Sequence, residues 1–375
     1  MDQKRICYVV TIGRTIDAFF RDQLIYLAAN GFDVSVICHD DCDLKHTLPN
    51  EIRFMDVPIP RGVNLFGSLS ALRELKRIFK KERFDLVQYS TPNAAFLASI
   101  AAKAARIPIR NYHLMGYRFE GESGVKRKLV KLFDQIACRN STHVECVCNA
   151  TMEKGIAMGL FPKEKAIVVG AGSTGGVNTE KFDLSKKPQW RSEIRKQFGY
   201  AEDTVVYGFV GRIAVDKGIR ELLGAWEAVS AHEKTALLLV GPVEDGALQA
   251  AAEALPRVKL AGKVLDPERY FAALDVLLLP SYREGFGNVL IEAETMGVAC
   301  IASDIDGPRD AMRSGETGLL VKPHDAAALA DAMTALLDAA QREIYAQNAI
   351  RFAKNFDSRV LCEAILQRKN SLLGG

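Results

Sequence analysis

Arg212 and Lys217 lie in a short segment, Val210 to Gly218, between an apolar run and a helical pattern over residues 219–229. Arginine presents a planar fork of N–H donors and lysine a compact point charge. Together they suit the two phosphates of a diphosphate where no metal ion holds them. The pair therefore predicts a diphosphate site; the alternative is that both are exposed residues of an ordinary turn.

Glu284 and Glu292 flank a glycine turn, Gly285-Phe286-Gly287, which follows another apolar run and precedes a helix predicted to begin near Asn288. Glycines let a ligand approach the backbone closely, and the free N–H groups at a helix start attract an anion. Glu292 falls about a turn and a half into that helix. The two carboxylates are therefore predicted to reach different hydroxyls of one extended ligand.

Elements that would position these residues recur along the whole chain, because short β-branched runs alternate with longer amphipathic stretches. In the first half, strands are predicted at Ile6–Thr11, Asp33–Cys38, Leu86–Tyr89, Ile109–His113, His143–Val147 and Ala166–Val169, with helices near 17–29, 68–82, 93–105 and 124–139. In the second half, strands are predicted at Val205–Val210, Thr235–Val240, Arg257–Leu260, Val276–Leu279, Ala299–Ala302 and Gly318–Val321.

This pattern predicts an α/β protein with two Rossmann-like parallel-sheet domains, residues 1–180 and 190–356, joined by the glycine-containing segment 170–188. A length of 375 residues, 48% of them hydrophobic, suits two such domains. Ligands of open parallel sheets bind at the carboxyl ends of the strands, so the domains are expected to face each other across a cleft. The last segment, 357–375, is predicted to be a helix long enough to return to the first domain.

Both charged segments, and the spacing between them, resemble the signature segments of glycosyltransferase family 4, retaining enzymes with the GT-B fold. The resemblance covers essentially the whole chain. It implies that Arg212 and Lys217 bind the diphosphate of a nucleotide-sugar donor and that Glu292 binds the ribose hydroxyls. It also implies that Glu284, with the backbone from Phe286 to Asn288, binds the donor sugar.

Further site residues follow from the same resemblance. Val264 and Leu265 lie in a segment similar to the one whose backbone reads the base, usually uracil. Gly13 resembles the family's N-terminal glycine loop, although it stands alone where many members have two glycines. His113, at a predicted strand end, resembles the cleft histidine near the reacting sugar; the alternative is a buried, satisfied polar group. Acceptor contacts are predicted at Arg14, Thr15, Arg118 and Glu120.

No metal site or cofactor is expected. The triplets Asp41-Cys42-Asp43 and Asp304-Ile305-Asp306 contain the paired carboxylates with which other glycosyltransferases hold a divalent ion, but both lie in polar loops or turns. The group Cys38, His39, Cys42 and His46 matches no common zinc spacing. Stabilisation of the negative charge on the leaving diphosphate is instead assigned to protein cations. The resemblance implies that the acceptor attacks from the front face of the sugar and that no protein nucleophile is required.

Other functions remain as alternatives. A nicotinamide-dependent oxidoreductase is disfavoured because the fingerprint G-x-G-x-x-G is absent at Gly13. An epimerase with the GT-B fold, or a catalytically silent nucleotide-sugar binding protein, would carry the same motifs. Similarity to bacterial capsule and surface-polysaccharide enzymes implies a UDP-sugar donor and an undecaprenyl-diphosphate-linked acceptor.

The first half is the basic one. Residues 1–180 hold 25 Lys and Arg against 19 Asp and Glu, a net charge of +6, whereas the remainder has −3. Its cations concentrate in two amphipathic segments, at Lys76, Arg77, Lys80, Lys126, Arg127, Lys128 and Lys131. Such helices either dock on anionic lipid or are ordinary solvated faces; they lack the interleaved aromatics expected for nucleic acid.

The expected location is the cytoplasm, peripherally at the inner face of the cell membrane. The apolar run near the N-terminus is too short for a signal peptide, and no stretch approaches the roughly 18 apolar residues of a spanning helix. The eight cysteines are scattered, several of them within apolar strands, which indicates thiols in a reducing compartment.

Overall fold

The structure is a computed structural model and describes residues 3–62 and 64–374. It divides into two compact units. The first contains the chain up to Gly176 and again from Ser358 onward, and the second spans Val177–Asp357. Each unit holds one β-sheet, and every strand pair within the two sheets is parallel.

The strands in chain order are β1 (Arg5–Ile12), β2 (Asp33–His39), β3 (Ile52–Asp56), β4 (Leu86–Tyr89), β5 (Ile109–Leu114), β6 (His143–Cys146), β7 (Ala166–Val168), β8 (Val205–Val210), β9 (Thr235–Val240), β10 (Val258–Gly262), β11 (Val276–Leu279), β12 (Ala299–Ser303) and β13 (Gly318–Val321).

The α-helices are α1 (Gly13–Phe19), α2 (Arg21–Ala29), α3 (Leu44–Thr47), α4 (Leu65–Glu82), α5 (Pro92–Ala104), α6 (Gly124–Asn140), α7 (Asn149–Ala157), α8 (Lys187–Phe198), α9 (Ile219–Val229), α10 (Gly246–Glu253), α11 (Pro267–Ala273), α12 (Asn288–Thr295), α13 (Pro308–Ala311), α14 (Ala326–Ala335), α15 (Ala339–Ala353) and α16 (Ser358–Gly374). Short 3₁₀ turns lie at Arg118–Gly121, Lys163–Lys165, Leu184–Lys186, Val215–Lys217 and Lys354–Phe356.

Strand order runs β3-β2-β1-β4-β5-β6-β7 in the first sheet and β10-β9-β8-β11-β12-β13 in the second. In both sheets the order reverses beside the unit's first strand, which creates a switch point between β1 and β4 and another between β8 and β11. Loops diverge at such a point and leave room for a ligand at the carboxyl ends of the strands. The predicted α/β fold with two Rossmann-like parallel sheets is confirmed.

Several local features differ from the sequence prediction, among them the short helices α3 and α7, for which no helix was predicted. β3 was not predicted, because Ile-Arg-Phe-Met-Asp is a half-exposed edge strand whose apolar pattern is interrupted by charge. The helix predicted over 17–29 is instead α1 and α2, which meet at Phe20. Phe20 has a non-helical backbone and is fully buried, so burial of its ring overrides the continuous helical pattern.

The first unit has a core on each face of its sheet. Leu75 of α4, Ala98 of α5 and Ala137 of α6 belong to one core. The opposite core contains residues of α1 and α2 together with Leu361 and Ile365 of α16. The C-terminal helix is therefore part of the hydrophobic core of the first unit.

A buried ion pair also connects α16 to the sheet. Lys369 is 1% exposed and its Nζ lies 3.0 Å from both carboxylate oxygens of Glu145 on β6. The same ammonium donates to Gln88 Oε1 of β4 at 2.7 Å. A buried charge is tolerated only with partners of this kind, so the pair fixes the position of the helix.

Replacing Lys369 by Met should lower the free energy of unfolding by about 3–5 kcal/mol, because the buried Glu145 loses the ammonium that contacts both of its oxygens and keeps only Arg368, 3.6 Å away, as a cationic neighbour. The double variant Lys369→Met with Glu145→Gln should recover most of that loss. Gln367→Met, at an exposed position of the same helix, is the control. Urea denaturation followed by circular dichroism measures the three; an unchanged midpoint in the single variant would contradict this account.

Candidate functional site

The two charged segments found in the sequence meet at the switch point of the second unit. One follows β8 and the other follows β11, its neighbour in the sheet. Gly218 approaches the second segment so closely that a Cβ on it would lie 2.0 Å from the carbonyl oxygen of Pro280, and its φ is +69°. The Tyr282 amide donates to the Asp216 carbonyl at 3.0 Å. Only glycine fits that contact.

The charged side chains of the two segments are paired. Lys217 Nζ lies 2.7 Å from Glu284 Oε1, and these side chains are 19% and 13% exposed. The guanidinium of Arg212 is bonded to Glu244 through Nη1 and to Asp216 through Nη2, the latter at 3.1 Å. The structure thus brings Arg212, Lys217 and Glu284 to one edge of the second sheet.

The glycine turn ends where α12 begins. Gly287 has a φ of +92° and precedes the first helical residue, Asn288, as the sequence pattern predicted. Phe286 is 5% exposed and packs on Phe356 with ring centroids 5.4 Å apart, so its side chain belongs to the core. The part of this turn that remains for a ligand is its backbone, together with the N–H groups at the start of α12.

Glu292 lies on α12 in a half-buried position with two charged neighbours. Burial raises the pKa of Glu292 to about 7; the Glu268 carboxylate adds to this rise, and the Lys181 ammonium opposes it. Lys181 Nζ is 3.5 Å from Glu268 Oε2. Glu268 and Lys181 were not identified from the sequence, because neither lies in a motif and only the fold brings them near Glu292.

Val264 and Leu265 follow β10, which is separated from β8 by β9. Leu265 is 88% exposed and Val264 is half-buried. They therefore lie at the carboxyl edge of the same sheet, but not at the switch point that carries the charged segments.

In the first unit, Gly13 is the first residue of α1 and follows β1 without a loop. Arg14 contacts Asp41 twice, through its amide at 3.0 Å and through Nε at 3.3 Å. A Cβ on Gly13 would lie 3.1 Å from Cys42 Sγ. Asp41, one of the paired aspartates considered for a metal, is thus a partner of Arg14; Thr15 is half-buried on the same helix.

His113 ends up inside the first unit. It is 7% exposed, its Nε2 lies 3.1 Å from Thr174 Oγ1, and its Nδ1 lies 4.0 Å from Glu145 Oε2. Burial lowers the pKa of His113 to about 4, so the imidazole is neutral at neutral pH. These contacts are those of a buried polar residue, and its proposed place near the sugar stays a prediction.

The other predicted acceptor residues occupy the 3₁₀ turn after β5. Glu120 is paired with Lys154 of α7 at 2.7 Å, and Arg118 Nε lies 3.7 Å from Glu122 Oε1. Their side chains are therefore at the carboxyl edge of the first sheet and are already partnered within the unit.

Thr91 is a further candidate that the sequence did not single out. It stands at the end of β4, at the switch point of the first unit, with a φ of +65°. A β-branched residue rarely adopts a positive φ, and such strain concentrates at functional sites. Its hydroxyl lies 2.7 Å from that of Thr11 on β1. The sequence does contain a signal for this unusual backbone, because Thr91 directly precedes Pro92 at the end of an apolar strand and the residue before a proline is conformationally restricted.

The second Asp-x-Asp triplet is also engaged by protein, since Asp304 pairs with Arg309 at 2.6 Å. Across residues 3–62 and 64–374, no three His, Cys, Asp or Glu side chains are grouped as ligands of one metal ion would be.

Comparison with known proteins gives two family matches that follow each other along the chain. The family described as Glycosyl transferase 4-like domain matches residues 15–172. The family described as Glycosyl transferases group 1 matches residues 204–339. The second match contains both charged segments.

Two curated relatives match all or most of the chain. The capsular polysaccharide biosynthesis glycosyltransferase CapM of Staphylococcus aureus is 32% identical over 381 residues, which cover 100% of this chain and 98% of CapM. The UDP-Gal:alpha-D-GlcNAc-diphosphoundecaprenol alpha-1,3-galactosyltransferase of Escherichia coli is 26% identical over 331 residues, 84% of this chain and 83% of the relative.

Among solved structures, Anabaena Alr3699/HepE in complex with UDP superposes with a TM-score of 0.79 at 22% identity, covering 98% of this chain and 100% of that one. At this identity the likeness concerns the fold, and it confirms the predicted GT-B fold. With the full-length similarity to CapM and both family matches, the chain belongs to glycosyltransferase family 4 and is a glycosyltransferase.

Proposed function

We propose that the protein transfers a sugar from a UDP-sugar to an undecaprenyl-diphosphate-linked glycan, with retention of configuration, in the synthesis of a surface polysaccharide. The observation that carries this proposal is the meeting of Arg212, Lys217 and Glu284 at the switch point between β8 and β11. The names of two relatives support its substrates, since one acts in capsular polysaccharide biosynthesis and the other uses UDP-Gal and a diphosphoundecaprenol acceptor.

Cleavage of the bond between the sugar's anomeric carbon and the diphosphate leaves negative charge on the departing group. Preorganised cations and N–H donors lower that barrier most effectively. In this proposal Arg212 and Lys217 bind the diphosphate, and the N–H groups at the start of α12 add to them. Glu284, released from Lys217, accepts hydrogen bonds from the sugar hydroxyls, and Glu292 accepts those of the ribose.

Retention follows if the acceptor hydroxyl attacks the same face from which the diphosphate leaves. The acceptor's proton passes to an oxygen of the leaving phosphate, so that no protein nucleophile is required. Neither a metal ion nor a cofactor enters this scheme. Binding of the uracil base of the donor is assigned to the backbone near Val264 and Leu265.

The acceptor is assigned to the first unit. Gly13, at the end of β1, is proposed to bind the donor, while Arg14, Thr15, Arg118 and Glu120 are proposed to contact the acceptor. His113 is proposed to act near the reacting sugar. Of these, Arg14, Arg118 and Glu120 have their polar groups at the carboxyl edge of the sheet, where a ligand of this fold binds.

Two alternatives share the same site. A non-hydrolytic GT-B epimerase would convert the donor into its epimer without net release of UDP, and a silent binding protein would bind the donor and leave it unchanged. One measurement distinguishes both alternatives from sugar transfer: whether UDP is released only when an acceptor is present.

Purified protein should release UDP from its UDP-sugar only when undecaprenyl-diphosphate-linked acceptor is added, and EDTA should leave the rate unchanged because protein cations stabilise the leaving group. A coupled UDP assay across a set of UDP-sugars measures this, after a thermal-shift screen has chosen the donor. Conversion of the UDP-sugar into its epimer, without UDP release, would favour the epimerase. Loss of transfer in EDTA, restored by magnesium or manganese, would contradict the metal-independent scheme.

Matched variants connect this activity to the site. Lys217→Ala and Arg212→Ala should each lower turnover on the order of a hundredfold or more, because each removes a cation that stabilises the negative charge of the transition state. Lys234→Ala, an exposed lysine just before β9, is the control. Near-normal turnover in both site variants would refute the diphosphate assignment.

Glu292 should show opposite effects on stability and on donor binding. Its folded pKa of about 7 exceeds the ordinary value of 4.5, so ionisation disfavours the folded state and stability falls as pH rises from about 4.5 to 7. Glu292→Gln should therefore raise the free energy of unfolding at pH 8 by about 1–3 kcal/mol, with little gain at pH 4. UDP-sugar binding should weaken, since the ribose loses its carboxylate partner.

Chemical denaturation at both pH values, with titration calorimetry of UDP, measures the two effects. Glu227→Gln, an exposed glutamate on α9, controls for the change of charge. A variant that is destabilised at pH 8, or that binds UDP as tightly as the wild type, would contradict the assignment.

We also propose that the enzyme docks on the cytoplasmic face of the membrane through α4 and α6. In the part of the chain that the structure describes, no helix has both the length and the apolar character needed to cross a bilayer. The cations of both helices are largely exposed, and α6 also exposes Val125 (83%) and Leu132 (46%). Exposed cations beside exposed apolar side chains suit an anionic bilayer surface.

Reversing the charges of Lys126, Arg127 and Lys128 to Glu should abolish sedimentation with phosphatidylglycerol vesicles at low salt, because each cation near such a surface contributes about 1 kcal/mol. Wild-type binding should weaken with added salt. The matched control reverses Lys196, Lys234 and Lys322 of the second unit, which changes the net charge equally. Equal sedimentation of both triple variants would identify α6 as an ordinary solvated helix.

A further inference from the structure

The loops after β8 and β9 are joined beyond the ends of their strands. The Gly211 amide donates to the Val240 carbonyl at 2.8 Å and the Ile213 amide to the Pro242 carbonyl at 2.9 Å; the Glu244 amide then donates to the Ile213 carbonyl at 3.1 Å. The parallel ladder of the sheet is thus extended into the loops, and the backbone of Glu244 is held beside that of Arg212.

This placement explains why the Glu244 carboxylate meets the guanidinium of Arg212. Arg212 donates to Glu244 through Nη1 and, through Nη2, to Asp216, which lies four residues further along the chain. Each terminal nitrogen of the fork therefore has one carboxylate partner. The three side chains are each about half exposed, at 45–49%, so they can exchange partners without unfolding the loop.

A diphosphate that uses the Arg212 fork approaches two nitrogens that each already donate to a carboxylate, Glu244 or Asp216. Both are anions, as the diphosphate is, so they compete for the same donors and also repel the ligand. An exposed ion pair is a weak interaction, so this competition changes the affinity for the diphosphate by a few fold without preventing binding.

Resting on the proposed function, we propose that Glu244 is a positioning residue that holds Arg212 between turnovers and recaptures it as the nucleoside diphosphate leaves. Glu244 thereby weakens diphosphate binding and speeds product release. Asp216 contributes in the same direction from the other side of the fork. The effect passes through the phosphates alone, because Glu244 acts on Arg212 and not on the base or the ribose.

Glu244→Gln tests this, since the amide keeps the size of the side chain and removes its charge. UDP should bind about two- to fivefold more tightly to the variant, and its dissociation, followed by stopped-flow displacement, should slow in proportion. Uridine, which lacks the phosphates, should bind both proteins equally. Glu233→Gln, in the turn before β9 at the opposite end of the same strand, matches the change in net charge and should leave UDP binding unchanged.

A double-mutant cycle shows whether the effect passes through Arg212. In an Arg212→Met background, Glu244→Gln should lose most of its effect on UDP. The inference is overturned if Glu244→Gln weakens UDP binding, leaves it unchanged, or tightens uridine to the same degree. Failure of the wild type to bind UDP would instead refute the proposed donor, so the two ideas fail separately.

Discussion

The site of the second unit depends on one close contact, that of Gly218 with the carbonyl of Pro280. A side chain at position 218 would stand 2.0 Å from that oxygen, so the loop after β8 reaches the loop after β11 only because the residue is glycine. Once the loops touch, Lys217 is placed against Glu284 and the Tyr282 amide against the Asp216 carbonyl. The two charged segments become one site through backbone packing, and the attraction of their charges follows from it.

Much of this arrangement could be predicted from sequence because its signals are local. The strands β8 and β11 are apolar runs, glycines mark the turns behind them, and α12 begins where the pattern placed it, at Asn288. Parallel sheets then put both turns at the same edge. The strand order, and with it the switch point between β8 and β11, had no local signal.

Other contacts could not be predicted from the sequence because the residues that form them lie far apart in the chain. Glu145 and Lys369 are separated by more than two hundred residues, and neither has a sequence context that reveals the other. Glu244 meets Arg212 only through a ladder that continues past the strand ends. Conversely, His113 was singled out by its position at a strand end, which does not show that its ring lies inside the unit against Thr174.

The ion pairs of the two units differ in solvent exposure, and exposure determines whether a pair is permanent or can exchange partners. Lys369 and Glu145 are almost completely buried, so neither can leave the other without a large desolvation cost, and such a pair suits a permanent attachment of α16. Arg212 and Glu244 are about half exposed, so water can replace either partner at little cost. An ion pair of that kind suits a group that must change partners in every catalytic cycle. Lys217 and Glu284, at 19% and 13% exposure, lie between these cases. In this drier setting each electrostatic contact is stronger, so the proposed exchange of this pair for a diphosphate and a sugar would gain more per contact than an exchange at Arg212.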